Sequence, residues 1–304
     1  MIRYRPFQER IPDTQYRDLL RLILDEGEEV PTRQGVSALK IVGHLMRFSL
    51  ENGFPLITER DLLSAPHNRP SLFHQALGEI CAFLNGAQTR EELERFGCYW
   101  WTPWVTPEQC AQYGLPPGDL GPASYGAAFR RFPTEEGPFD QIAHLIEQIR
   151  HSPHLRYHEV NPWIPHYLSR ARGRRQRAVV PPCHGWFHVH INTRAGELTL
   201  SHRQRSADAP VGLAFNIIHY AALAMMIAQV TGYTPRALVC YVDDVHIYMN
   251  QVEHVREMLA TEPQRFPTVD VDPTVADIFA FRPEHFSVSH YHPRLPRRRI
   301  PTPV

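Results

Sequence analysis

The chain has 304 residues, a length compatible with one large domain, and a domain of this size buries about 75% of its unfolded surface, so no covalent staples are required. With 43% hydrophobic and 21% charged residues, it is not a largely disordered chain. Lys+Arg and Asp+Glu are 32 each, so bulk charge attracts neither nucleic acid nor an anionic membrane, and any anion must be held by local clusters. Thr14 to Glu28 carries Leu19, Leu20, Leu22, Ile23 and Leu24 at helical spacing, predicting an amphipathic first helix. Val36 to Leu50 alternates as strand with a break at Gly43, and Pro70 to Asn85 reads as a helix stopped by Gly86. Residues 96–125 are rich in Gly, Pro and Trp and read as a functional loop, too long for a passive connector.

Phe139 to Arg150 predicts another helix. Val179 to Ile191 and Glu197 to Arg203 predict two strands joined by a turn over Asn192 to Gly196. Gly212 to Val230 is apolar nearly all round and predicts a central helix, and Leu238 to Met249 alternates as a buried strand. Helices and strands interleave without regular βαβ alternation, so the expected fold is α/β or α+β with one mixed sheet in a single domain, 1–304. The five cysteines, Cys81, Cys98, Cys110, Cys183 and Cys240, lack a CxxC pair and fit neither a disulfide framework nor a metal site. No leader pattern is visible at the N-terminus, and the longest apolar stretch, Tyr220 to Val230, is well short of the ~20 residues that cross a bilayer. A cytoplasmic protein with no membrane partner and no required nucleic acid is expected.

The chemistry concentrates in the second half. Cys183, in Pro181-Pro-Cys-His184, reads either as a buried structural cysteine or as a nucleophile whose thiolate a neighbouring cation favours. Arg203-Gln204-Arg205-Ser206-Ala-Asp208 offers paired planar donors and a hydroxyl suited to a phosphate. Asn216, in the first turn of the apolar helix, is either a capping residue or an amide able to read a heterocycle edge. His246 and Tyr248 stand two apart on one strand face. Nucleophile, anion clamp, base reader and hydroxyl binder together match the parts of a nucleoside monophosphate.

The ordered set PPCH, QRSAD, GLAFN, DDVHIY and DLGPASYG resembles the folate-dependent thymidylate synthases and their pyrimidine nucleotide hydroxymethylase relatives, from about Tyr16 to Val304. The resemblance implies the fold of that family, a mixed sheet packed back to back in a homodimer. It implies that Cys183 attacks C6 of a pyrimidine nucleoside 5′-monophosphate and that C5 takes a one-carbon unit from 5,10-methylenetetrahydrofolate, without a metal. By the same likeness Glu79 is the catalytic carboxyl that organises proton transfers at the base carbonyl, and Tyr125 belongs to the catalytic set. Arg33, Gln204, Arg205 and Ser206 are substrate ligands, with Arg156 contributed by the partner subunit. Asn216 reads the base, His219 adds a second polar group beside it, and His246 with Tyr248 meets the sugar. Trp101, Trp104, Asp208, Gly212, Phe215 and Val304 face the folate.

Several positions depart from that pattern. The family's pair of partner arginines is reduced to Arg156. An insertion at 166–178 carries Arg170, Arg172, Arg174, Arg175 and Arg177, which either replace the lost charge or form a solvated loop. Glu59 stands where a lysine binds the folate tail, His219 where a small hydroxyl residue is usual, Asp243 replaces a glycine and Ala214 a proline. These changes favour a specialised 5-hydroxymethylase acting on CMP, dCMP or dUMP. Trp101 and Val304 favour the alternative, a synthase converting dUMP to dTMP. A more remote alternative is a catalytically inactive, nucleotide- or RNA-binding member of the fold, which would have no need of a nucleophile.

Overall fold

The computed structural model describes residues 2–303, the side chain of Arg172 excepted. Its six principal helices are α1 (Gln15–Glu26), α2 (Leu72–Leu84), α3 (Tyr125–Arg130), α4 (Gln141–His151), α5 (Ala214–Thr231) and α6 (Val252–Leu259). The principal sheet has six strands, β1 (Glu28–Val30), β2 (Ala38–Ser49), β3 (His158–Val160), β4 (Trp186–Asn192), β5 (Glu197–Asp208) and β6 (Thr234–Tyr248), in the order β1-β2-β6-β5-β4-β3. Every neighbouring pair is antiparallel except β5 and β6, which are parallel and joined through α5. The mixed α/β architecture expected from the pattern is therefore present.

Two local rules build the core. Residues 198, 200, 202 and 204 of β5 alternate inward, and α5 buries Ala214 through Ala228 without a break, so it has no polar face to give to water. It lies between α2 and strands β5 and β6 and ends at Gly232, whose φ of 83° supplies a left-handed cap. The stretch Ala209–Thr231, longer than the apolar stretch Tyr220 to Val230, is by length and composition apolar enough to span a bilayer. In its most apolar window 89% is buried inside the fold, so burial in the protein accounts for that composition. At the front of α2 the Ser71 hydroxyl accepts from His74 N–H at 3.2 Å, and α2 stops before Gly86.

Five predicted elements change. The strand expected from Val179 begins only at Trp186: Pro181 and Pro182 have no N–H for a ladder, and Gly185 turns at φ 103°. Strand β5 continues past Arg203 to Asp208, and β6 begins at Thr234. The long helix is preceded by a π-helical turn, Ala209–Leu213. Within 96–125 the chain forms two short helical segments, Thr102–Trp104 and Pro107–Gln112.

The parallel pairing of β5 and β6 positions the chemistry. Its register sets Ser206 opposite Asp244 and Asp208 opposite His246, so the carboxyl ends of both strands share one edge of the sheet, the usual place for ligands in α/β folds.

Candidate active site

Cys183 lies in the irregular segment ahead of β4 and is partly accessible. Arg205, from β5, holds this segment: Nε donates to Pro182 O at 2.8 Å, and Nη2 to Pro181 O at 2.9 Å and to Cys183 Sγ at 3.3 Å. Burial pushes the thiol up, and the Arg205 charge opposes it, which is the direction that favours a thiolate. Nη1 of Arg205 has no partner among the described residues and is available to an anion; Trp163 lies beneath the guanidinium, 5.7 Å from ring centre to Cζ. The Cys183 N–H donates to Tyr125 Oη at 2.9 Å, and Tyr125 stacks on His184 at 4.3 Å and on Phe83 of α2 at 4.8 Å.

That aromatic stack leads to a second cluster. Glu79 of α2 is only 5% exposed, yet Trp100 Nε1 donates to its Oε1 at 2.8 Å, and Trp101 Nε1 donates to the same oxygen. His219 of α5, 0% exposed, places Nε2 3.0 Å from Glu79 Oε2, though its N–H lies off the line and meets no hydrogen-bond geometry. His219 Nδ1 is 3.3 Å from Asn216 Nδ2, and Asn216 Oδ1 accepts from Gln204 Nε2 at 2.8 Å. Asn216 follows the π turn, and the side chain that caps this turn belongs to Asp208, which accepts from Val211 N–H at 3.2 Å.

Asp208 anchors the third cluster. Burial raises its carboxyl to about 6, against the opposing effects of Gln251, His246, Val211 and Arg60. Gln251 Nε2 bridges Asp208 Oδ2 at 2.9 Å and the carbonyl of Pro301 at 2.7 Å, so the C-terminal tail is tied to this carboxyl. His246 Nδ1 lies 2.8 Å from Asp244 Oδ1, and Lys40 Nζ is 3.0 Å from Asp244 Oδ2. Burial alone would raise Asp244, but these two partners outweigh it and hold the carboxyl low. The rings of His246 and Tyr248 meet edge-on at 5.0 Å. Phe215 is stacked by Trp100 at 4.8 Å, Arg60 lies 5.6 Å from the Phe215 ring centre, and Gly212 sits in the intervening turn.

Other sequence candidates lie elsewhere or add little contact. Arg33 and Arg156 are exposed in turns with no side-chain hydrogen bond or ion pair among the described residues, and Ser206 is half-buried. Trp104 is partly buried against the core, and Val304 lies outside the described residues. Glu59 does not face a ligand surface: it is buried with Arg17 at 3.5 Å, and that guanidinium also donates to Met258 O and Leu259 O at the end of α6. In the arginine insertion, Arg170 donates to Gln176 at 2.6 Å and Arg177 stacks on Tyr167 at 4.0 Å, while Arg174 and Arg175 are exposed. Trp100, Gln251, Lys40 and Asp244 were not singled out from the sequence. The doubled tryptophan beside Trp101 and the DDVHIY motif that contains Asp244 were the signals for two of them.

Residues 14–302 match the protein family described as Thymidylate synthase. The chain belongs to the thymidylate synthase family. Membership supports folate-dependent transfer of a methyl or hydroxymethyl group to C5 of a pyrimidine nucleotide, and the family uses methylenetetrahydrofolate. As a thymidylate synthase family chain it brings Cys183, Tyr125, Glu79, Asn216, Gln204 and Arg205 into one contiguous set. Asp208, His246, Tyr248 and Phe215 lie along the adjoining sheet edge and α5.

Proposed function

We propose that this chain is a 5-hydroxymethylase of a pyrimidine nucleoside 5′-monophosphate, working as a homodimer. The observation that carries the reading is the pairing of Cys183 with Arg205 at 3.3 Å, linked through Tyr125 and Trp101 to the buried carboxyl of Glu79. Thiolate addition to C6 forms the C–S bond and moves the ring electron pair toward C5, making that carbon the nucleophile. Glu79 then serves proton transfer at position 4 of the ring, and Asn216 holds the base edge. Arg205 Nη1, Ser206, Arg33 and Arg156 of the partner subunit bind the phosphate, while His246 Nε2 and Tyr248 take the sugar hydroxyl.

The residues fit a reduced folate. Asp208 is a half-buried acceptor for pterin N–H groups, and Trp100, Trp101, Trp104 and Phe215 provide aromatic surface beside Gly212. When bound, methylenetetrahydrofolate supplies the carbon at the oxidation level of formaldehyde. His219 beside Glu79 favours the hydroxymethyl outcome, because it adds a buried polar group at the carboxyl that orders water. The Trp101 contact to Glu79 favours the second reading, methylation of dUMP.

Exposed apolar residues on two strands support the dimer. Val42, Leu45 and Tyr241, which are 76%, 59% and 37% exposed, lie on β2 and β6, and Leu45 and Tyr241 are direct register partners. Incubation with a 5-fluoropyrimidine nucleotide and methylenetetrahydrofolate tests the function: a covalent ternary adduct on Cys183 is expected, and its absence overturns the reading. Product mass with the natural nucleotide then distinguishes hydroxymethyl from methyl.

A further inference from the structure

We propose that Trp100 is a positioning residue that couples the folate to Glu79: its indole N–H fixes which oxygen of the carboxyl is left for chemistry, and its ring carries the folate. The inference rests on the reading above, in which Glu79 serves proton transfer and the tryptophans face the folate. Glu79 Oε1 accepts from Trp100 Nε1 at 2.8 Å and also from Trp101 Nε1. A carboxylate oxygen has two lone pairs, so the two indoles fill Oε1 and leave Oε2, on the side of His219, as the oxygen with capacity to spare. With one indole alone, the carboxyl could turn about its last bond and offer either oxygen.

The two indoles are not equivalent. Trp101 is buried and lies edge-on to Phe83 at 6.3 Å and to Tyr125 at 6.1 Å, which fixes it in the core. Trp100 is only partly buried, and its ring stacks on Phe215 of α5 at 4.8 Å with 27° between the planes. Phe215 is itself backed by the buried Arg60, 5.6 Å from the ring centre, whose guanidinium donates to Pro210 O at 2.9 Å. The residue before Trp100 is tied to α2, the helix of Glu79, because Tyr99 N–H donates to Gln75 Oε1 at 3.1 Å. Trp100 therefore joins α2 to α5 with one polar atom and one aromatic face, and its other face is left for a second planar system. An aromatic ring of the folate resting there holds the indole against Phe215 and its N–H on Oε1.

Substitutions in the full-length protein separate the two roles. Trp100→Phe keeps a stacking ring and removes the N–H, so kcat is expected to fall about tenfold or more while tetrahydrofolate affinity, measured by calorimetry with the nucleotide present, stays within about threefold. Trp100→Leu removes both, and affinity should then also fall about fivefold or more. A second readout needs no turnover. Of the five indole N–H signals in a ¹⁵N–¹H correlation spectrum, two are expected to move upfield in Glu79→Gln, where the acceptor loses its charge, and one of those two should shift when tetrahydrofolate is added to wild type. Unchanged kcat in Trp100→Phe, unchanged folate affinity in Trp100→Leu, fewer than two indole signals answering to Glu79→Gln, or no response of either to tetrahydrofolate overturns the proposal. If a Trp100 variant does not fold, the indole signals decide. Failure of wild type to convert any pyrimidine nucleotide overturns the proposed function, and the indole and affinity measurements then judge this coupling separately.

Discussion

Cys183 makes a covalent bond only during the reaction, whereas the base and phosphate contacts proposed for Asn216 and Arg205 do not depend on sulfur. Cys183→Ala is therefore expected to lower kcat by at least about 10³-fold while leaving nucleotide affinity within a few-fold of wild type, measured by calorimetry. Substantial turnover by that variant would remove Cys183 as nucleophile. Asp208 supports a pH prediction. Its folded value is raised from 3.8 to about 6, so between those limits the native chain binds this proton more tightly than the unfolded chain. The resulting stabilisation is full below about pH 4 and is lost as pH rises through about 6. Between pH 4 and pH 7 wild type should lose on the order of 2 kcal/mol more unfolding free energy than Asp208→Asn, read from urea titrations. Equal changes in both proteins would place Asp208 in an ordinary environment.

At the scale of elements, α2 carries Glu79 and must approach the loop that carries Trp100 and Trp101. Gly78 permits that approach: a Cβ there would lie 2.1 Å from the backbone oxygen of Phe96. Gly78→Ala should push the loop from the helix, cost about 2–3 kcal/mol and lower Tm by roughly 5 °C, with loss of activity as the tryptophans leave Glu79. An unchanged melting curve would show that the loop yields without cost. The helices were legible because the apolar pattern reports directly on burial, periodic in the amphipathic α1 and continuous in the fully buried α5. The start of the strand predicted from Val179 is displaced to Trp186 because Pro181, Pro182 and the left-handed Gly185 stand among its apolar residues. Asn216 was left open between cap and base reader, since the competing cap, Asp208, becomes visible only when the π turn is formed.

At the scale of the molecule, the exposed apolar residues of β2 and β6 form the surface on which the proposed two-fold partner would pack, bringing Arg156 of the partner subunit to the phosphate. Leu45→Glu places a charge on that face without touching the core and is expected to shift the protein to a monomer at micromolar concentration, seen by analytical ultracentrifugation, with activity falling at least about tenfold. A fully active monomeric wild type would overturn the shared-site dimer.

The amino-acid order by itself determined the family, the mixed α/β class and the residue types of the site, because motifs such as PPCH, QRSAD and GLAFN are contiguous and apolar periodicity is local. Tertiary structure decided what those residues face. Glu59, expected at a folate surface, turns inward to Arg17 and the end of α6, because the nearest compensating charge lies on α1. Trp100 joins Trp101 on Glu79, Gln251 ties the tail to Asp208, and His219 links Asn216 to Glu79. The partners in these contacts are mostly distant in sequence and meet through the parallel register of β5 and β6 and the packing of α2 on α5. A one-dimensional period specifies which face of an element is buried; the three-dimensional crossing of elements specifies which polar atoms on those faces meet.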